Sequence, residues 1–153
     1  EKFMTDSNNW LDKDKVSENR YKVFPVGTII FPKIGGAIST NKKRILTRDS
    51  IYDNNVMGLV PTGKIFSGYL YWWLYGTDIN SWANGSSLPA IKKTTVEETK
   101  IPLPPLAEQK KIARELDVLA EKVRKLRQLQ GEVEKELKEL KKAVLREAFE
   151  GSK

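Results

Sequence analysis

Ten positions between Ile112 and Val144 constrain this chain more than anything else in it. Ile112, Leu116, Leu119, Val123, Leu126, Gln130, Val133, Leu137, Leu140 and Val144 follow one another at intervals of four and three residues in strict alternation. All but Gln130 are apolar, so the stripe keeps the 3.5-residue repeat of a coiled-coil seam. At ~1.5 Å per residue the stripe spans about 50 Å. A helix this long, with Glu, Lys and Arg filling the positions between, cannot bury its stripe against itself and calls for a partner helix. Pro105 suits a first helical position, Glu108 complements the positive end of the helix, and Gly151 supplies a stop. A long pairing helix is therefore expected over residues 105–150. Ala113, Ala120 and Ala143 flank the seam, where small side chains let a neighbour approach. Gln130 beside Gly131 has two readings. It can fix register with a polar partner, or the pair can mark a kink or a break between two shorter helices.

Residues 1–104 follow a different grammar. All four tryptophans and all five tyrosines lie there, with most of the glycines and many β-branched residues. Val26–Pro32 reads as a strand ended by proline, with Ile34–Ile38 as its glycine-bent continuation. Arg44–Thr47 and Val56–Pro61 read as two further strands. Phe66, Tyr69, Leu70, Trp73 and Leu74 fall at i, i+3, i+4, i+7 and i+8, one face of a short helix that Gly76 would stop. The expected class is α+β: a mixed, β-rich domain followed by a long coiled-coil α-helix.

The residue types that are missing exclude whole classes of chemistry. The 153 residues contain no histidine and no cysteine, so no Ser-His-Asp or Cys-His nucleophile, disulfide or His/Cys zinc site can be built. Gly35-Gly36 leads into Ala-Ile-Ser-Thr rather than Lys-Ser/Thr, and no strand-Gly-x-Gly-x-x-Gly unit is present. Asp12-Lys13-Asp14 lacks the glycine and closing glutamate of a calcium loop. Glu97 and Glu98 are adjacent and point apart. No cofactor or metal is expected. The longest apolar stretches fall well short of the ~20 residues of a membrane helix, so a cytoplasmic location is expected. Glu1 in place of methionine suggests a fragment or a processed chain.

The formal net charge of +7 suggests an anionic partner without locating it. Residues 1–106 carry 14 basic and 10 acidic groups, and residues 107–153 carry 13 and 10, so neither part owns the excess. A local run is more informative. Lys33, Lys42, Lys43, Arg44 and Arg48 fall within 16 positions that contain no acid, interleaved with Ser39, Thr40 and Asn41. Such a turn can set Lys and Arg on phosphates and Asn on an adenine edge. The loop holding Asn84, Ser86 and Ser87, with Lys92 and Lys93 after it, offers a second set of hydrogen-bonding groups. Two solvated polar loops are the plainer alternative. Tyr71, Trp72, Trp73 and Trp82 can stack on bases, although helical spacing favours core packing.

In four segments the chain resembles the DNA-specificity subunit of type I restriction–modification systems. They are Gly27–Gly36, Asn54–Pro61, Asn84–Ile91 and, above all, Ile101-Pro102-Leu103-Pro104-Pro105-Leu106-Ala107-Glu108-Gln109-Lys110-Lys111-Ile112-Ala113. The ending Arg146–Gly151 adds to the likeness, which runs from about residue 20 onwards. The resemblance implies one target-recognition domain that reads half of a split double-stranded DNA target. It implies that the long helix packs on a second helix, from another recognition half or another copy, and acts as a ruler between half-sites. Methyl donor, ATP and catalytic residues would then belong to partner methyltransferase and restriction subunits, leaving this chain non-catalytic. Family members usually carry two such domains and open each with residues upstream of this start. The chain is therefore expected to be either a C-terminal half or a half-length subunit that pairs with itself. A coiled-coil protein-interaction module, or the recognition end of a fused restriction enzyme–methyltransferase, are the alternatives.

Overall fold

The computed structural model describes residues 2–7, 9–85 and 87–150. Two compact units divide the chain, residues 1–113 and residues 114 onward.

In the first unit, short β-branched segments make a four-stranded sheet of order β1-β3-β2-β4. Its strands are β1 (Phe3–Met4), β2 (Ile29–Pro32), β3 (Arg44–Leu46) and β4 (Val56–Leu59). Central β2 runs antiparallel to both neighbours, with Ile29 opposite Ile45 and Leu59, and Phe31 opposite Met57. Edge strand β1 joins β3 in parallel. Alternation along β2 sends Ile29 and Phe31 into the core and leaves Ile30 and Pro32 half-buried, as a period of two requires. Pro32 closes the strand where it has no amide to offer. Between β1 and β2 in the chain lies the short helix α1 (Lys13–Glu18), which buries nothing.

The expected strand continuation over Ile34–Ile38 is not there. Ile34 makes one isolated bridge to Ala90, and the chain then coils into a 3-10 turn over Gly35–Thr40. Gly35 turns it at φ +71°, a conformation that favours glycine, and Asn41 ends it in the left-handed region at φ +51°. Ile38 is buried from the inside of that turn rather than from a strand.

Helix α2 (Ser67–Gly76) lies against the sheet with Tyr69, Leu70, Tyr71 and Leu74 buried. The expected face is present in part. Phe66 precedes the helix and Trp73 is half-buried, while Tyr71 joins the core from outside the expected stripe. The helix is apolar around most of its circumference, so packing rather than period decides which side is inside. A second 3-10 turn (Ile79–Trp82) follows, leading into a small antiparallel hairpin of β5 (Ala83–Asn84) and β6 (Ala90–Ile91). Helix α3 (Lys93–Glu98) completes the region. Ile29, Phe31, Ile38, Ile45, Leu70, Tyr71, Leu74, Ile79, Trp82 and Ile91 form one core.

Helix α4 (Leu106–Glu150) begins next to the proline-rich segment and runs through Gln130 and Gly131 without a break. The stop expected at Gly151 lies outside the described residues. Its first two turns belong to the first unit because Gln109 and Ala113 are buried there. Gln109 donates to the carbonyls of Lys64 and Pro104 and accepts from the Phe66 amide, so both its nitrogen and its oxygen are engaged.

The second unit is helix alone. Leu119, Leu126, Val133, Leu137, Leu140 and Val144 are each more than half exposed. Side-chain pairs at i+3 and i+4 line the polar surface: Arg124 on Glu121, Lys142 on Glu139, Gln128 on Glu132 and Gln130 on Glu134. Such exposed pairs support the helix weakly and leave its seam unburied. No helix among the described residues is long and apolar enough to cross a membrane.

Candidate nucleic-acid interface

Two polar loops distant in sequence meet at one edge of the first unit. The Gly35 amide donates to the Pro89 carbonyl at 2.7 Å, and the Ile91 amide donates to the Lys33 carbonyl at 2.8 Å. Strand β6 is thereby tied to the chain just beyond β2. Leu88 sits 3.6 Å from where a β-carbon on Gly35 would lie, an ordinary contact distance, so it is the positive φ of Gly35 rather than crowding that favours glycine at this junction. The 3-10 turn carrying Ser39 and the hairpin carrying Asn84 and Ser87 become neighbours. Lys92 and Lys93 follow β6 directly, and all four of these last residues are exposed.

The expected basic run does not act as one patch. Lys42 is exposed, whereas Lys43 turns inward and is only 4% exposed. Its ammonium donates to the Asn41 side-chain oxygen at 2.6 Å and the Thr77 carbonyl at 2.7 Å. Burial lowers its pKa below that of an ordinary lysine, and the Asp78 carboxylate opposes that shift. Asn41 is equally committed, since the same oxygen accepts from the Ile79 amide at 3.2 Å. Lys43 is therefore built into the fold, while Asn41 is half-buried with its side-chain oxygen taken up by the Lys43 ammonium and the Ile79 amide. Sequence could not separate Lys42 from Lys43 because adjacent residues at a loop exit point in different directions, and only the neighbouring backbone decides which is covered.

The remaining candidates divide. Arg44 lies half-buried in β3, and Arg48 stands beyond the other end of that strand. Arg48 donates to the Thr5 carbonyl at 3.1 Å and lies 4.8 Å from the Trp10 ring centroid, which fastens the N-terminal segment. The Ser39 hydroxyl donates back to Gly36 at 2.6 Å and keeps its lone pairs as acceptors. Ser86 lies outside the described residues. Lys93 pairs with Glu97 at 3.1 Å on the surface. Of the aromatic candidates, Tyr71 and Trp82 are core residues, and Trp72 and Trp73 pack against the core half-buried.

Asn55, which lies in the Asn54–Pro61 segment that carries the family resemblance, also reaches this edge. The Lys33 amide donates to the Asn55 carbonyl at 2.8 Å, which brings the Asp53–Asn55 turn alongside Lys33. Asp53 accepts from the Asn55 amide and side chain and holds that turn. An Asp-Asn-Asn run before a β-branched strand was the available signal. A cavity of about 770 Å³ lies along β4, lined by each residue from Val56 to Val60, with Phe24 and Tyr52 on one side and Leu70, Trp73 and Val96 on the other. Among the described residues no group of His, Cys, Asp or Glu is arranged to hold a metal ion.

The architecture is thus an α+β unit with a small mixed sheet and paired polar loops, followed by a long helix whose apolar seam is unburied. The chain belongs to the family of the type I restriction modification DNA specificity domain, whose profile matches residues 3–135. It is 36% identical over 97 residues to the Type I restriction enzyme EcoKI specificity subunit of Escherichia coli K12, covering 61% of this chain and 21% of that protein. It is 28% identical over 109 residues to the MjaIX specificity subunit of Methanocaldococcus jannaschii, covering 67% of this chain and 24% of that one. Two solved structures share the fold at 26% identity. One, from work on complex assembly and conformational transition of the type I R-M system, gives a TM-score of 0.72 over 84% of this chain and 32% of its own. The other, the HsdS subunit from Thermoanaerobacter tengcongensis, gives 0.62 over 86% and 32%. The chain therefore spans between a fifth and a third of each of these four proteins.

Proposed function

We propose that this chain reads one half of a bipartite double-stranded DNA target as part of the specificity subunit of a type I restriction–modification complex. The observation that carries the reading is the joining of two exposed, lysine-bearing polar loops at one edge of a domain from a DNA-specificity family. Lys33, Ser39, Lys42, Asn84, Ser87, Lys92 and Lys93 are the candidate contacts on that edge. Lysines there would bind phosphates and set register, while Asn and Ser groups read base edges. Arg44 opens β3 directly after the first loop and is half-buried, and Arg48 stands as an outlying candidate beyond the far end of that strand.

The long helix supplies the second part of the function. Its unburied seam pairs with a second helix, from another recognition half or another copy of this chain, and the paired length sets the distance between half-sites. The chain itself is non-catalytic in this reading. Methyl transfer and cleavage belong to methyltransferase and restriction subunits that assemble on it in the cytoplasm, and residues 1–104 and 105–150 act as recognition domain and spacer. Selection from a random duplex library, with and without the methyltransferase subunit, tests the proposal. Enrichment of a short defined sequence is expected, and a flat profile in both conditions overturns it.

A further inference from the structure

Buried Lys43 and half-buried Asn41 stand at the end of the first loop of the proposed interface. Gly35 and Lys33 fasten the first loop to Pro89 and Ile91 at one end. At the other end, Asn41 receives the Ile79 amide while Lys43 reaches the Thr77 carbonyl. Residues 77–79 lead through the second 3-10 turn straight into β5 and the Asn84–Pro89 loop. The Gly35–Lys42 and Asn84–Pro89 loops are thus tethered twice, once by backbone and once by this side-chain clamp. The second tether is an unusual choice. A lysine at 4% exposure carries a large desolvation cost, and an apolar side chain of similar volume often fills such a place without loss of stability. What an apolar side chain lacks is direction: it cannot hold Asn41 at φ +51° while gripping a carbonyl on another segment.

We propose that Lys43 and Asn41 are positioning residues that fix the spacing of the two loops, so that sequence preference depends on a lysine that does not touch DNA. The inference rests on the DNA-reading function proposed above. Thr77 and Asp78 complete the clamp. The Thr77 hydroxyl donates to the Trp73 carbonyl at 3.0 Å, and Asp78 accepts from the amide and side chain of Asn80. The grip of Lys43 therefore falls on a turn that is itself held.

The test uses the full chain with Lys43→Met and Asn41→Ala, with Lys42→Ala for comparison. Two measurements are made: enrichment of the preferred duplex over random duplex across a salt series, and amide hydrogen exchange over residues 36–42 and 79–85. For Lys43→Met, a loss of about tenfold in preference is expected, with an unchanged salt slope and faster exchange in both segments. Asn41→Ala behaves alike and serves if Lys43→Met fails to fold. Lys42→Ala lowers the slope by about one unit and leaves exchange alone. A slope that falls in Lys43→Met would make Lys43 a phosphate contact and overturn the proposal, as would unchanged preference. If the wild-type chain shows no preference, the DNA reading fails, and unchanged exchange in both variants would separately refute the clamp.

Discussion

The side-chain oxygen of Gln109 accepts a hydrogen bond from the Phe66 amide at 2.9 Å, joining the opening turn of the long helix to the residue that introduces helix α2. The side-chain nitrogen of Gln109 donates to the carbonyls of Lys64 and Pro104. This is the physical content of the Leu-x-Glu-Gln signature. A glutamine at 1% exposure is acceptable only because three backbone groups need it as much as it needs them.

Truncation of Gln109 leaves an amide and two carbonyls buried without partners. Gln109→Ala is expected to destabilise the first unit by about 2–4 kcal/mol, read by urea denaturation. Gln109→Glu fares no better, because a carboxylate cannot donate to the Lys64 and Pro104 carbonyls.

Gly58 in β4 has no room for a side chain. A β-carbon there would overlap the Tyr52 hydroxyl and lie 3.0 Å from the Thr28 methyl. Gly58→Ala should expel the Tyr52 ring from its stack on Phe24, now 4.1 Å between centroids, at a cost of about 1–3 kcal/mol. Loss of near-ultraviolet circular dichroism reports the displaced ring, and a signal equal to wild type would refute the fit.

Burial raises the Tyr52 phenol from its ordinary pKa of 10.0 to about 12. The folded state therefore holds this proton where the unfolded chain has released it. The stability that the neutral phenol contributes is fully present below pH 10.0 and is lost as pH rises to about 12. The phenolate absorbance step near pH 12 should vanish in Tyr52→Phe, and that variant should lose less stability over the same interval.

The seam of α4 makes a prediction about size. Sedimentation should show the chain larger than a monomer, alone or with a second recognition half. Leu119→Glu with Leu126→Glu should return it to monomer with the circular dichroism of a folded first unit. A wild-type chain that sediments as a monomer in both settings would remove the pairing helix from the proposed mechanism.

Gly131 tests whether its position in the helix has a purpose. Nothing lies within 4 Å of where its β-carbon would be, so Gly131→Ala should raise helix stability by about 1 kcal/mol by thermal unfolding. If self-assembly weakens instead, the close approach that glycine permits is used by the partner helix.

The elements themselves were largely legible. β2, β3, β4, α2 and α4 follow from β-branched runs, a five-residue apolar helical stripe and a sustained heptad repeat, each a signal carried by neighbouring residues. The failures share one cause. Ile34–Ile38 looks like a strand because its residues are apolar, yet Gly35 at φ +71° and the Pro89 carbonyl turn it into a 3-10 coil. Tyr71 joins the core from outside the expected stripe because neighbours cover α2 on more than one side.

The sequence by itself determined that the chain has two grammars, a β-rich domain and a seam-bearing helix, and that no histidine or cysteine chemistry is possible in it. Periodicity and residue inventory are local properties and survive without coordinates. Tertiary structure decided which of the basic residues remain available. Lys42 and Lys43 are identical neighbours in the sequence, but one stays in solvent and the other is drawn to the Thr77 carbonyl, 34 positions away. That choice is made by whichever backbone group is folded against the loop, and no local pattern records it.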